Sequence, residues 1–219
     1  RLPEGLGAVR RRVALVFATL AGTSAVFSVP CLHAQAASPY VVSAPAPAGF
    51  DRARAQQATL EHLTQLIALN TQNPPGNELL TARYFDAVFA GIPGVERHVL
   101  ESGNHRANFI ARLRATRPTK RPVLIMGHMD VVNVDSTKWI TPAFTATRRD
   151  EGGVPYLYGR GAIDDKGMLA AATAAMQQLA SQRDQLDRDI IFLATAAEEG
   201  GPGVGIDLIA LGCLGQRGR

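Results

Sequence analysis

The sequence predicts an α/β domain with a largely parallel sheet flanked by helices, and three observations carry this. Two strongly apolar runs, "PVLIMGHMDVV" (122–132) and "DIIFLATAAEE" (189–199), read as strands covered on both faces. An Ala-rich helical stretch, "KGMLAAATAAMQQLASQ" (166–182), lies between them, so strand, helix and strand follow in the order of a parallel crossover. Upstream, apolar residues recur at helical spacing before any strand begins.

The elements follow from the N-terminus. Residues 1–36 read as a secretory signal: Arg10, Arg11 and Arg12 supply a positive end, 13–29 an apolar stretch, and Ala34-Gln35-Ala36 a cleavage site. A membrane anchor is the competing reading, although Gly22, Thr23 and Ser24 interrupt the apolar stretch. Cleavage predicts an exported, periplasmic or secreted protein without stable membrane association. It would leave Cys213 as the remaining cysteine, and so no internal disulfide. The formal charge of +4 is concentrated in this leader, and the rest of the chain holds 19 basic and 18 acidic side chains. Such a balance predicts no nucleic-acid partner.

Residues 37–50 form a Pro/Ala-rich linker. Asp51 can cap a helix running to about Asn70, with Leu60, Leu63, Leu66 and Ile67 on one face. "NPPGNE" (73–78) is a turn, and a second helix over 79–90 turns Leu80, Tyr84, Val88 and Phe89 inward. "VERHVLE" (95–101) and "ANFIARLRA" (107–115) alternate as strands do.

The polar residues collect where the strands end, which is where open α/β sheets bind ligands. His128 and Asp130 end one strand, Glu198 and Glu199 the other, and Asp164 and Asp165 open the intervening helix. Each group alone has an ordinary explanation: a local hydrogen-bonded pair, a solvated strand end, a helix cap. Together they describe a metal site. Asp130 can fix the tautomer of a ligating His128. Asp164 can bridge two cations, while Glu199 binds metal and Glu198 faces a water.

The ordered segments "GHMDVV", "GRGAIDDKG" and "ATAAEEGGPG" resemble the zinc metallopeptidase family of glutamate carboxypeptidases, aminoacylases, acetylornithine deacetylases and succinyl-diaminopimelate desuccinylases. The separations of 36 residues from His128 to Asp164, and 35 from there to Glu199, are similar to the family's. "NPPGNE" and Trp139 followed by Pro142 to Phe144 also resemble family segments. The resemblance implies a zinc-exopeptidase-like catalytic domain over 51–211 with two Zn²⁺ ions, for which Co²⁺ or Mn²⁺ could substitute. In its terms His128 binds one metal, Asp164 bridges both and Glu199 binds the second. Asp130 supports His128, and Glu198 is the general base that activates a water against an amide. The Asp164–Asp165 peptide bond is cis in this family. The implied substrate is a peptide or an N-acyl amino acid.

The sequence also departs from the family. A second-half carboxylate and a late histidine complete the family's metal site, whereas no histidine follows Glu199 here and Asp207 is the only later acid. The expectation is therefore an N-terminal half, lacking the lid and dimerisation domain, with 212–219 as a tail whose pattern suits a foreign reading frame. Metal binding should then be weakened, activity low or absent, and a homodimer not expected. Other readings are a zinc aminopeptidase of the related fold, a non-catalytic exported binding protein, and a nucleotide-binding module. The last is disfavoured because "GRGAID" lacks the Walker pattern.

Overall fold

The computed structural model describes residues 48–200 together with Gly205, Ile206 and Ile209. The leader, most of the linker, Asp207 and the 212–219 tail lie outside the described residues.

Helix α1 (Arg52–Ala68) begins where expected, with the Asp51 carboxylate accepting the Arg54 N–H at 3.0 Å. A short strand β1 (Gln72–Asn73) precedes the proline turn, and α2 (Glu78–Phe89) follows it. The chain then forms β2 (Val95–Gly103), β3 (Arg106–Leu113), β4 (Val123–His128) and β5 (Val131–Val132). A hairpin not foreseen from the sequence, β6 (Thr147–Glu151) and β7 (Val154–Tyr158), leads to α3 (Lys166–Leu179) and β8 (Ile190–Thr195).

The main sheet has the order β2-β3-β8-β4. Its mixed character narrows the expectation of a largely parallel sheet. The β4/β8 pair is parallel, as the crossover through α3 requires, but β2/β3 and β3/β8 are antiparallel. For β2/β3 the physical reason is the tight hairpin at 104–105, where Asn104 and His105 both take positive φ; a two-residue connection reverses the chain.

One core lies against this sheet. Phe109, Ala111 and Leu113 of β3 alternate inward and pair with Ala194, Phe192 and Ile190 of β8. Onto them α2 lays Phe85 and Phe89, with the Phe85 and Phe192 rings 5.0 Å apart edge to face and Phe89 stacked on Phe109 at 5.9 Å. Leu66 of α1 and Leu169, Ala170 and Met176 of α3 complete the cluster. The inward face of α2 is thus Leu79, Ala82, Phe85 and Phe89; Leu80, expected inside, is 49% exposed. Leu124 and Met126 on β4 are likewise exposed, so that strand is not covered on both faces among the described residues.

Lys166 ties two helices together. Fully buried, its Nζ donates at the end of α1 to the carbonyls of Leu66, which also accepts the Leu69 N–H, and of Leu69, at 2.8 and 2.6 Å. Burial pulls its pKa down from the ordinary 10.5 to about 7. None of the described helices is long and apolar enough to cross a membrane.

Candidate metal centre

The parallel pair β4/β8 sets the position of the site. His128 is the last residue of β4 and pairs in register with Thr195, the last residue of β8. The ladder makes its last bond there, from the Met129 N–H to the Thr195 carbonyl at 2.8 Å, and the chain re-pairs with β1 only from Val131. Met129 and Asp130 therefore lie in a break between β4 and β5. Glu198 and Glu199 sit three and four residues beyond the end of β8, in a turn rather than on the strand.

Three side chains converge. Donor atoms of His128, Asp164 and Glu199 all lie within 4.8 Å of one another. His128 Nε2 is 2.8 Å from Asp164 Oδ1 and 3.9 Å from Glu198 Oε2. The imidazole is buried, whereas the side chains of Asp164 and Glu198 are 74% and 62% exposed, so the cluster opens to solvent on one side. The Asp164–Asp165 peptide bond is cis, as the family resemblance implies.

Asp130 orients the imidazole differently from the simple expectation. His128 Nδ1 lies 3.0 Å from the Asp130 backbone carbonyl, and the Asp130 carboxylate stands farther off at 3.6 Å. A protonated Nδ1 facing that carbonyl leaves Nε2 as the outward electron-pair donor, the tautomer a metal ligand needs. The carboxylate of Asp130 instead holds the other side of the site. It accepts the Glu198 N–H at 3.1 Å, the Glu199 N–H at 2.9 Å and the Asn73 side-chain amide at 2.8 Å. Asn73 was legible in the sequence only as part of a turn; nothing local to it announces a partner 57 positions away.

Asp165, at the N-cap position of α3, makes no side-chain cap bond. Its Oδ2 accepts the His128 N–H at 3.3 Å, which brings the start of α3 against the end of β4. Gly127 permits this approach, since a Cβ there would lie 2.3 Å from Asp165 Oδ2.

The electrostatics suit a cation. Burial pushes the Glu199 carboxyl above its ordinary range, with the Asp164, Glu198 and Asp130 charges adding to it and His128 opposing. Burial also works against a charged His128, but hydrogen bonds to Asp130 and Asp164 outweigh it and lift the imidazole to about 9. Carboxylates crowded around one imidazole, with the Glu199 carboxyl raised, form a donor set that a divalent cation would relieve. These residues fit a metal.

An α/β sheet with a His, Asp and Glu cluster at the carboxyl ends of a parallel strand pair defines the class, that of a metallopeptidase-type catalytic domain. Residues 124–218 match the peptidase family M20/M25/M40. It is 32% identical over 145 residues to a probable succinyl-diaminopimelate desuccinylase of Staphylococcus aureus, covering 66% of this chain and 33% of the relative. An N-formyl-4-amino-5-aminomethyl-2-methylpyrimidine deformylase of Halalkalibacterium halodurans is 34% identical over 138 residues, covering 62% and 31%. Among solved structures, human carnosine dipeptidase 1 superposes with a TM-score of 0.55 at 23% identity over 70% of this chain and 35% of that one. The M20 metallo-carboxypeptidase Sso-CP2 of Sulfolobus solfataricus gives 0.50 at 26% identity, over 62% and 30%. The chain spans about a third of the length of the curated relatives it matches.

Proposed function

We propose that the protein hydrolyses amide bonds of peptides or N-acyl amino acids, in the manner of a carboxypeptidase, dipeptidase or deacylase. The observation that carries this reading is the convergence of the His128, Asp164 and Glu199 donor atoms within 4.8 Å at the carboxyl ends of β4 and β8. In it, His128, Asp164 and Glu199 would hold Zn²⁺, two ions by the family resemblance. Bound zinc supplies a Lewis acid that polarises a carbonyl and brings the pKa of a coordinated water toward neutrality.

The chain's own residues do the rest. The Asp130 carbonyl fixes the ring of His128, and its carboxylate fixes the backbone that presents Glu198 and Glu199. Glu198 Oε2, on the solvent side of the imidazole, takes a proton from water and returns it to the departing amine. Relatives named for removing succinyl or formyl groups support an amide substrate. Export from the cytoplasm belongs to the same proposal and is supported by the sequence of residues 1–36 alone.

The test is Glu198→Ala in the protein carrying its full activity. Turnover of N-acyl amino acids or dipeptides should vanish while metal content, read by plasma mass spectrometry, stays at the parent level. Metal lost with turnover kept would reject the assignment.

A further inference from the structure

Four consecutive backbone N–H groups, from Ala196 to Glu199, each donate to a side-chain oxygen. Ala196 donates to Asn108 Oδ1 at 2.9 Å and Ala197 to Glu78 Oε1 at 3.3 Å, while Glu198 and Glu199 donate to Asp130. The turn needs such support, because Ala197 holds a φ of 60°, where a Cβ is disfavoured. Two of the three holders, Glu78 and Asp130, are carboxylates with 0% exposure.

Glu78 is the unexplained member of this set. A carboxylate without exposure is costly unless paired, and Arg106 pairs it on both oxygens, Nη2 to Oε1 at 2.6 Å and Nε to Oε2 at 3.1 Å. Gly76 makes room for that guanidinium, since a Cβ there would meet Arg106 Nε at 2.7 Å. The segment "NPPGNE" is thus a brace with two ends. Asn73 holds Asp130, which holds Glu198 and Glu199; Gly76 admits Arg106, which clamps Glu78; and Glu78 holds Ala197.

We propose that Glu78 is a positioning residue for the 196–199 turn, its carboxylate setting the backbone from which Glu198 and Glu199 reach toward His128 and Asp164. The benefit to metal binding rests on the hydrolase reading above; the benefit to the backbone does not. Arg106 serves by pairing with both Glu78 oxygens and holding the carboxylate in one orientation. The conjunction explains why an acid stands at the end of a proline turn and enters a helix fully buried.

The experiment uses the full 219-residue chain and three variants: Glu78→Ala, Glu78→Gln and Asp189→Asn. The last breaks a different buried ion pair and controls for general destabilisation. Two readouts are taken under conditions where circular dichroism shows each variant folded: amide exchange of the 196–199 peptide without metal, and Zn²⁺ affinity by chelator competition. Glu78→Ala should speed exchange of that peptide at least tenfold and weaken Zn²⁺ binding about 10–100-fold, the usual cost of losing an outer support of a metal site. Glu78→Gln keeps an oxygen for the Ala197 N–H and should change Zn²⁺ affinity less than about threefold, while Asp189→Asn should change neither readout. Exchange of 196–199 unaltered in Glu78→Ala, or sped equally in Asp189→Asn, would overturn the proposal. Faster exchange in Glu78→Ala, with a parent chain that binds no Zn²⁺, would keep the positioning role and remove the metal reading instead. If Glu78→Ala does not fold, Glu78→Met, which fills the space without an acceptor oxygen, takes its place and is judged by the same exchange outcomes.

Discussion

The Asp130 carboxylate accepts the backbone N–H of Glu199 at 2.9 Å, so a residue just past β4 holds the chain that presents a candidate ligand beyond β8. Asp130 is completely buried. Burial alone would raise its pKa, but His128, Asn73 and the two backbone N–H groups outweigh that and keep it ionised.

From this follows the effect of Asp130→Ala. The N–H groups of Glu198 and Glu199 and the amide of Asn73 all lose their acceptor, and His128 loses a nearby charge. Zn²⁺ affinity should fall about 10–100-fold, read by competition with a chromophoric chelator. Affinity unchanged in a folded variant would show that Asp130 has no part in the site.

Asp189 predicts an acid limb in stability. Burial pushes its carboxyl up, but the Ala115 N–H and the Arg112 and Arg114 guanidinium groups outweigh this and hold it below its ordinary range. A depressed carboxylate contributes fully above its unfolded pKa of about 3.9, and the contribution fades as pH falls through the lower folded value. Asp189→Asn should cost about 1–3 kcal/mol at neutral pH, and much less at pH 2–3. Urea denaturation at the two pH values measures both; an equal loss at each would assign the effect to packing.

Lys166 predicts a second rise of stability with pH, on the alkaline side. Its folded pKa of about 7 lies below the ordinary 10.5, so between these values the unfolded chain binds the extra proton and stability rises with pH. Below pH 7 the burial penalty is complete. Lys166→Met should remove this rise and, by taking a donor from the Leu66 and Leu69 carbonyls, cost about 1–3 kcal/mol where the wild-type amine is neutral. Parallel denaturation curves of the two proteins across pH 7–10 would contradict it.

The aromatic cluster gives a prediction independent of any metal. Phe85 has no exposure and touches both Phe109 and Phe192. Phe85→Ala should cost about 3–5 kcal/mol in denaturant unfolding. A loss below about 1 kcal/mol would mean that the core collapses around the gap.

Much of this architecture is legible in local sequence. Helices α1 and α3 show in apolar spacing and, for α1, in the Asp51 cap; β4 and β8 show as apolar runs. The β6/β7 hairpin was not, because "TRRDEGGVPYLY" mixes charge and aromatics without a clean alternation, and its residues are largely exposed. Leu80 was misassigned because one residue's rotation on a helix, 100°, decides between core and solvent. Neighbouring Leu79 satisfies the same apolar pattern.

The sequence by itself determined the α/β class, the order of the principal elements and the chemical identity of His128, Asp130, Asp164, Glu198 and Glu199 as a candidate set. These depend on side-chain type and on periodicity within one element. Only the tertiary structure decided how the set is held. It put the Asp130 carbonyl rather than its carboxylate against His128 Nδ1, sent that carboxylate to the Glu198 and Glu199 backbone, and joined Glu78 to Ala197 across 119 positions. Backbone N–H groups carry no residue identity, so their partners cannot be read from spacing. They are fixed only when packing brings distant segments within hydrogen-bond reach and burial penalises every group left unpaired.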